Sequence, residues 1–298
     1  MNIKKHYKNK INDEIIEGKI IMNYEEEKFT THDGTELTIH QWKPEGTPKG
    51  IVQIVHGIAE HMGRYMNVVN RLVPAGYTVC GLDLRGHGKS GGLPGFVNKF
   101  SEFVEDQQEF TQLIKKKVGS SIPLFLLGHS MGTQIAILQI VEYPGEFKGV
   151  ILSGAGTETG VKLNPLLVFM APILSKLLPK MTVKNELSVG VCSDPAVREA
   201  YTNDPYVLKK LTVRLGNELF KAYEASTKGI AKIKIPILIQ RGEKDSMVIK
   251  TDELFANVTV ADSNLKVYKD LFHEVYNEPE KDREIVLSDL EEWLDNHI

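Results

Sequence analysis

The chemistry most visible in this chain lies in five consecutive residues, Gly128-His129-Ser130-Met131-Gly132, a G-x-S-x-G pattern. A serine hydroxyl is a weak nucleophile on its own. This pattern activates it when a strand, a sharp turn and a helix hold the hydroxyl at the strand tip, with the helix N-terminus aiming its free N–H groups and positive end at the reacting centre. The pattern arises by chance in roughly one chain in ten, so its surroundings decide its weight. The stretch PLFLL before it reads as a buried strand and TQIAILQIVEY after it as a helix. The bland alternative is a glycine-rich strand-to-helix turn with an idle serine.

An activated serine needs a base and an acid to orient it. Behind a turn of this kind the partners follow in the order serine, acid, histidine. Of nine histidines, only His273 and His297 follow a plausible acid. His297 is the penultimate residue, on the last helix, where fraying is expected. His273 follows the last strand pattern in a loop and is the expected base. Asp245 ends the run PILIQRGEKD at a strand tip and is the expected acid. Asp270, three residues before His273, is the alternative. Two backbone donors must hold a developing oxyanion. The N–H of Met131 is one, and the loop His56-Gly57-Ile58 after the strand GIVQIVHG offers the N–H of Ile58 as the other. A simple strand-ending turn is the alternative for His56-Gly57. His56, Glu60 and His61 suggest a metal site, but their spacing matches neither H-E-x-x-H nor H-x-x-E-H. Glu60, His61 and Arg64 are expected to hydrogen-bond together and brace the oxyanion loop.

The elements that must position these residues alternate. Short apolar runs at 50–57, 78–86, 123–130, 150–156, 236–245 and 264–274 fit strands buried on both faces of a parallel sheet. Helical patterns lie between them, which implies an α/β fold with a mainly parallel central sheet and helices on both faces. A hairpin is expected around Asp33-Gly34. The alternation breaks between 157 and 229, a proline-containing, helix-like stretch with no clear strand. The expected division is an N-terminal extension (1–27), a core (28–156 and 230–298) and an inserted helical cap (157–229).

Together, HGIAEHMGRY (56–65), LDLRGHGKSGG (82–92), GHSMG (128–132), RGEKD (241–245) and the loop histidine His273 resemble the α/β-hydrolases of the monoacylglycerol lipase and lysophospholipase family. The resemblance runs from about residue 28 to 298, and HG-x-x-EH-x-x-RY is its specific part. It implies a serine carboxylester hydrolase for lipid esters with one acyl chain, with Ser130, Asp245 and His273 as the triad and Ile58 and Met131 as oxyanion donors. It implies a cap opening onto an acyl tunnel, and it calls for no metal or organic cofactor. Relatives often carry a small residue where this chain has Ile58; the larger side chain is expected to narrow the pocket. Cleavage of amides or peptides, or a non-catalytic ligand-binding relative, are the other readings.

Other patterns point elsewhere and fail. Gly86-His87-Gly88-Lys89-Ser90-Gly91 matches G-x-G-x-x-G, but GLPGF follows where a dinucleotide site needs a helix. A net charge of -3 argues against nucleic acid as a partner. No long apolar run marks the first residues, so export is not expected and a cytoplasmic location is. The tract 163–178 is apolar all round, and its prolines and Lys176 make it a poor membrane span. It packs on the core, or it presents an apolar lid face for transient contact with a membrane or micelle. Two cysteines, Cys80 and Cys192, form no disulfide framework. One lies in a strand pattern and the other in the insertion, so no bridge between them is expected, and Cys192 is a candidate thiol near the tunnel mouth.

Overall fold

The computed structural model describes residues 23–119, 121–161 and 165–298. Most of the expected extension, residues 1–22, and the positions Leu163 and Asn164 at the start of the apolar tract lie outside them. Eight strands form the central sheet: β1 (Asn23–Thr30), β2 (Glu36–Lys43), β3 (Gly50–Val55), β4 (Tyr77–Asp83), β5 (Leu124–His129), β6 (Gly149–Ser153), β7 (Ile237–Gly242) and β8 (Ser263–Tyr268). Their spatial order is β1-β2-β4-β3-β5-β6-β7-β8. Only β2 runs against its neighbours; all pairings from β4 to β8 are parallel. The sheet takes in residues 23–27, which the sequence pattern assigns to the extension, because Asn23–Glu27 pair in register with Ile39–Lys43.

The central strands carry almost nothing but buried side chains, as GIVQIV and LFLLGH do, and helices cover both faces. On one face lie α2 (Ser101–Val118) and α3 (Met131–Glu142), with Phe103, Phe110 and Ile114 of α2 buried on one stripe. On the other lie α1 (Met66–Leu72) and the C-terminal helix Glu280–Asp295, with Val286, Leu287, Leu290 and Leu294 buried. Each fully buried side chain of this size contributes about 1.5–3 kcal/mol.

Between β6 and β7 the chain runs through α4 (Pro165–Leu177), α5 (Pro195–Asn203) and α6 (Val213–Gly229). The stretch is not purely helical. Residues 182–184 pair antiparallel with 210–212, and 158–159 pair with 248–249 beyond β7. These ladders are two or three residues long, too short to give a period-two pattern in the sequence. After β7 come α7 (Thr251–Ala256) and β8, and then α8, the C-terminal helix Glu280–Asp295. Among the described residues, no helix is long and apolar enough to cross a membrane.

Candidate active site

Ser130 sits between β5 and α3 with φ 51° and ψ −122°, backbone space that costs a non-glycine residue about 1–3 kcal/mol. The surrounding bonds hold it there. Its N–H donates to the Ser153 carbonyl (3.0 Å), and its own carbonyl accepts from the Thr133 N–H (2.8 Å) and hydroxyl (2.7 Å). Both motif glycines are sterically required. A Cβ on Gly132 would lie 2.1 Å from the Val55 carbonyl oxygen, and one on Gly128 would lie 2.4 Å from that of Gly132. The pattern is the steric signature of α3 starting hard against the end of β3. Met131, its first residue, presents an N–H that a helix leaves free at its N-terminus.

Asp245 and His273 meet beside it. One Asp245 carboxylate oxygen accepts from His273 Nδ1 at 2.7 Å; the other accepts the N–H groups of Met247 (2.8 Å) and Val248 (3.1 Å). Burial opposes charge on the carboxyl, but His273 and the backbone bonds outweigh it and hold Asp245 below the usual carboxylate range. Burial opposes charge on the imidazole too, and the Asp245 charge and hydrogen bond prevail, so the His273 pKa is raised. The Nδ1–H bond leaves Nε2 as the nitrogen with the lone pair. That atom is buried and has no partner among the described residues. Close backbone approach builds this pair: a Cβ on Gly242 would lie 2.1 Å from the Phe272 carbonyl oxygen, and one on Gly154 (φ 60°) would lie 2.7 Å from the His273 ring. His129 packs 4.7 Å from His273, centroid to centroid. Burial, with His273 alongside, pulls the His129 pKa down to about 3, so it stays neutral and does not compete for the proton.

The other acid and the other histidine lie elsewhere. Asp270 is exposed and pairs with Lys244 at 2.6 Å, because its φ of 65° turns the chain away from the site. His297 does not hang loose: it stacks on Trp293 at 4.2 Å and reaches Asp262 at 3.1 Å.

The His56-Gly57-Ile58 loop, the expected oxyanion loop, is more than a strand-ending turn. A Cβ on Gly57 would fall 3.0 Å from the Ser130 Cβ, so the loop rests against the serine. His56 is fully buried. Its Nε2 accepts the Leu84 N–H (2.9 Å), which leaves Nδ1 to donate to the Gly57 carbonyl (2.8 Å). Burial lowers its pKa. Glu60 accepts from the Gly57 N–H (2.5 Å), the Tyr65 hydroxyl (2.8 Å) and Arg64 Nε (3.3 Å). Arg64 continues to Glu274, next to His273, at 2.5 Å, so Glu60 and Arg64 tie the 56–60 loop to the histidine loop. His61 departs from the expected network: its Nε2 bonds Asp204 of the inserted segment at 2.9 Å. Its ring turns away from Glu60 because its Nδ1 caps the next turn at Gly63.

A cavity of about 160 Å³ opens on Ser130, Met131 and Ile58. Its walls include Val168 and Ala171 of α4, within the apolar tract the sequence pointed to, and residues the sequence did not single out: Leu219, Phe220 and Tyr223 of α6, and Met247 and Val248 just past Asp245. The apolar residues of α6 recur every three or four positions, a signal for a buried helix face that does not distinguish a core from a cavity. Among the described residues, none lining the cavity is charged. Cys192 is fully buried, away from the cavity lining; burial pushes its thiol, like that of Cys80, up to about 12, and both cysteines are free. The G-x-G-x-x-G loop turns inward: Lys89 N–H donates to Asp83 (2.8 Å) and Gly91 N–H to Glu36 (2.7 Å).

Strand order, the helices on both faces and a strained serine at a strand-to-helix turn beside an Asp–His pair define an α/β-hydrolase. The comparisons with known proteins agree. A family profile described as serine aminopeptidase, S33 (Hydrolase_4) matches residues 46–280. The chain is 36% identical over 276 residues to a monoacylglycerol lipase of Mycolicibacterium smegmatis, covering 92% of this chain and 98% of that one. It is 30% identical over 262 residues to phospholipase YtpA of Bacillus subtilis, covering 86% of this chain and 99% of that one. The crystal structure of a monoacylglycerol lipase from Paleococcus ferrophilus superposes with a TM-score of 0.76 at 28% identity, covering 93% of this chain and 100% of that one. The chain belongs to this hydrolase family, among the α/β-hydrolases similar to monoacylglycerol lipases.

Proposed function

We propose that the protein hydrolyses lipid esters with a single acyl chain, best of all monoacylglycerols, through an acyl-enzyme on Ser130. The observation that carries this reading is the uncharged, apolar cavity opening directly on Ser130. It has room for on the order of ten water-sized groups, which suits an acyl chain. The cationic amino terminus of a peptide would need a carboxylate in the lining and a lysophospholipid phosphate would be helped by a cation, and neither is present among the described lining residues. In the proposed mechanism, Nε2 of His273 takes the proton of Ser130 as the oxygen attacks the ester carbonyl. The N–H groups of Ile58 and Met131 hold the oxyanion, and Asp245 fixes the imidazole tautomer and stabilises its charged form. The protonated His273 gives its proton to the departing alcohol. It then activates the water that hydrolyses the acyl-enzyme.

In the same reading residues 157–229 act as a cap over the site. The outward stripe of α4 (Leu166, Phe169, Ile173 and Leu177, each half or more exposed) contacts a membrane or micelle while Val168 and Ala171 face the tunnel. Two free thiols and a net charge of -3 fit a cytoplasmic enzyme with no nucleic-acid partner. The test is a kcat/KM panel of monoacylglycerols of graded chain length, a lysophospholipid and aminoacyl amides. Monoacylglycerols are expected to exceed the amides by at least about 100-fold, the gap of roughly 2.7 kcal/mol that an unpaired charge in an apolar lining imposes. A preference for the amides would overturn the reading.

A further inference from the structure

The histidine loop carries a fully buried acid that the proposed mechanism leaves idle. Glu278 lies five residues after His273 and has no exposed surface, and among the described residues its carboxylate meets neutral donors and no cation: the Phe272 N–H at 2.7 Å, the Ser193 N–H at 3.1 Å, the Ser193 hydroxyl and, more weakly, the Cys192 thiol at 3.6 Å. A buried carboxylate is costly unless its oxygens are satisfied. Here the donors come from two distant segments, the residue just before His273 and the 191–193 turn of the inserted segment. The residue just after His273 runs to the same turn, since the Glu274 N–H donates to the Val191 carbonyl at 2.7 Å. His273 is therefore held at both neighbours by one turn of the insertion, directly on one side and through Glu278 on the other.

We infer that Glu278 is a positioning residue for the base: it fastens the loop carrying His273 to the 191–193 turn, so that part of the inserted segment serves as a support for the imidazole as well as a cover for the substrate. This inference rests on the reading of Ser130 and His273 given above. None of Val191, Cys192, Ser193 or Glu278 lines the cavity, so loosening this clamp moves Nε2 relative to Ser130 while leaving the acyl tunnel in place. The signature is a fall in kcat with little change in KM.

The experiment compares wild type, Glu278→Gln, Ser193→Ala and the double variant in the full chain. Three quantities are read: the rate of Ser130 labelling by a small fluorophosphonate, kcat and KM on a short soluble ester, and the thermal midpoint. Glu278→Gln keeps one accepting oxygen but turns an NH₂ toward the donors of Ser193. It is expected to lower labelling rate and kcat by about 10- to 100-fold, the cost of a misplaced catalytic group, with KM within about threefold. Ser193→Ala is expected to lose less, and the double variant less than the product of the two, because both act through one clamp. A folded Glu278→Gln that labels at the wild-type rate overturns the inference. If that variant does not fold, a folded Ser193→Ala labelling at the wild-type rate overturns it equally. Failure of the wild type itself to label refutes the reading of the site rather than this inference.

Discussion

At the scale of single residues, the proposal assigns three tasks to three side chains, and Asp245 gives the cleanest separation among them. Asp245→Asn keeps the shape of the site but replaces an accepting oxygen with either a donor or a weaker acceptor, so the imidazole loses both its tautomer and its compensating charge. The expected loss is about 10³- to 10⁴-fold in kcat, read with any ester the wild type turns over. The pH dependence carries a sign as well. The base works as neutral imidazole, so kcat/KM rises with pH through the His273 pKa. Asp245 raises that pKa above the ordinary histidine value of about 6.5, so the acid limb lies above that value in the wild type and moves to lower pH in Asp245→Asn. An unmoved limb would show that another group titrates. Ser130, Asp245 and His273 were legible in the sequence because each ends a strand pattern. Its strand-tip position favoured Asp245 over Asp270 in the sequence; the structure adds what the sequence could not show, the φ of 65° at Asp270 and its exposed ion pair with Lys244.

At the scale of elements, close approach of backbone segments accounts for the site. α3 reaches Ser130 only because Gly132 lets it touch the end of β3, and the Asp245 and His273 loops meet only because Gly242 lets them. Gly132→Ala is expected to lower stability by about 3 kcal/mol, through overpacking against the Val55 carbonyl. The check is a denaturant midpoint, and a change under about 0.5 kcal/mol would show that the turn is not the tight joint described. The same scale explains what the sequence did not show. Buried strands announce themselves as apolar runs, and β3 to β7 were readable from that alone; β8 was expected to be buried on both faces, but it is the edge strand and only Tyr268 of its residues is buried. Ladders of two or three residues in the insertion carry no period. His61 was grouped with Glu60 because they are neighbours in the chain, yet its ring bonds to Asp204, a partner 143 residues away that no local pattern reveals. Glu278 was invisible for the same reason: its partners Cys192 and Ser193 lie 86 and 85 residues away, in the inserted segment.

At the scale of the molecule, one end of the inserted segment faces solvent and the other is fastened to the loops at the end of the sheet. α4 leaves Phe169 at 77% exposure and Leu177 at 70%, whereas the other end of the insertion is anchored by Asp204 to His61 and by the Leu208 N–H to the Ala59 carbonyl at 2.9 Å. The exposed stripe should therefore matter for reaching an aggregated substrate and not for the chemistry. Phe169→Ser together with Leu177→Ser is expected to lower turnover of vesicle- or micelle-borne monoacylglycerol by about tenfold, the loss of two apolar contacts with lipid. Turnover of a short soluble ester should stay within about twofold. Equal losses on both substrates would mean that the stripe supports the fold and not the encounter with lipid.

The central claim, an acyl-enzyme on Ser130, is tested most directly by intact-mass and peptide mapping after reaction with a fluorophosphonate, with Ser130→Ala alongside. The account predicts one adduct per chain, located on Ser130, and none in a folded Ser130→Ala. An adduct on another residue, or undiminished labelling of Ser130→Ala, would contradict it.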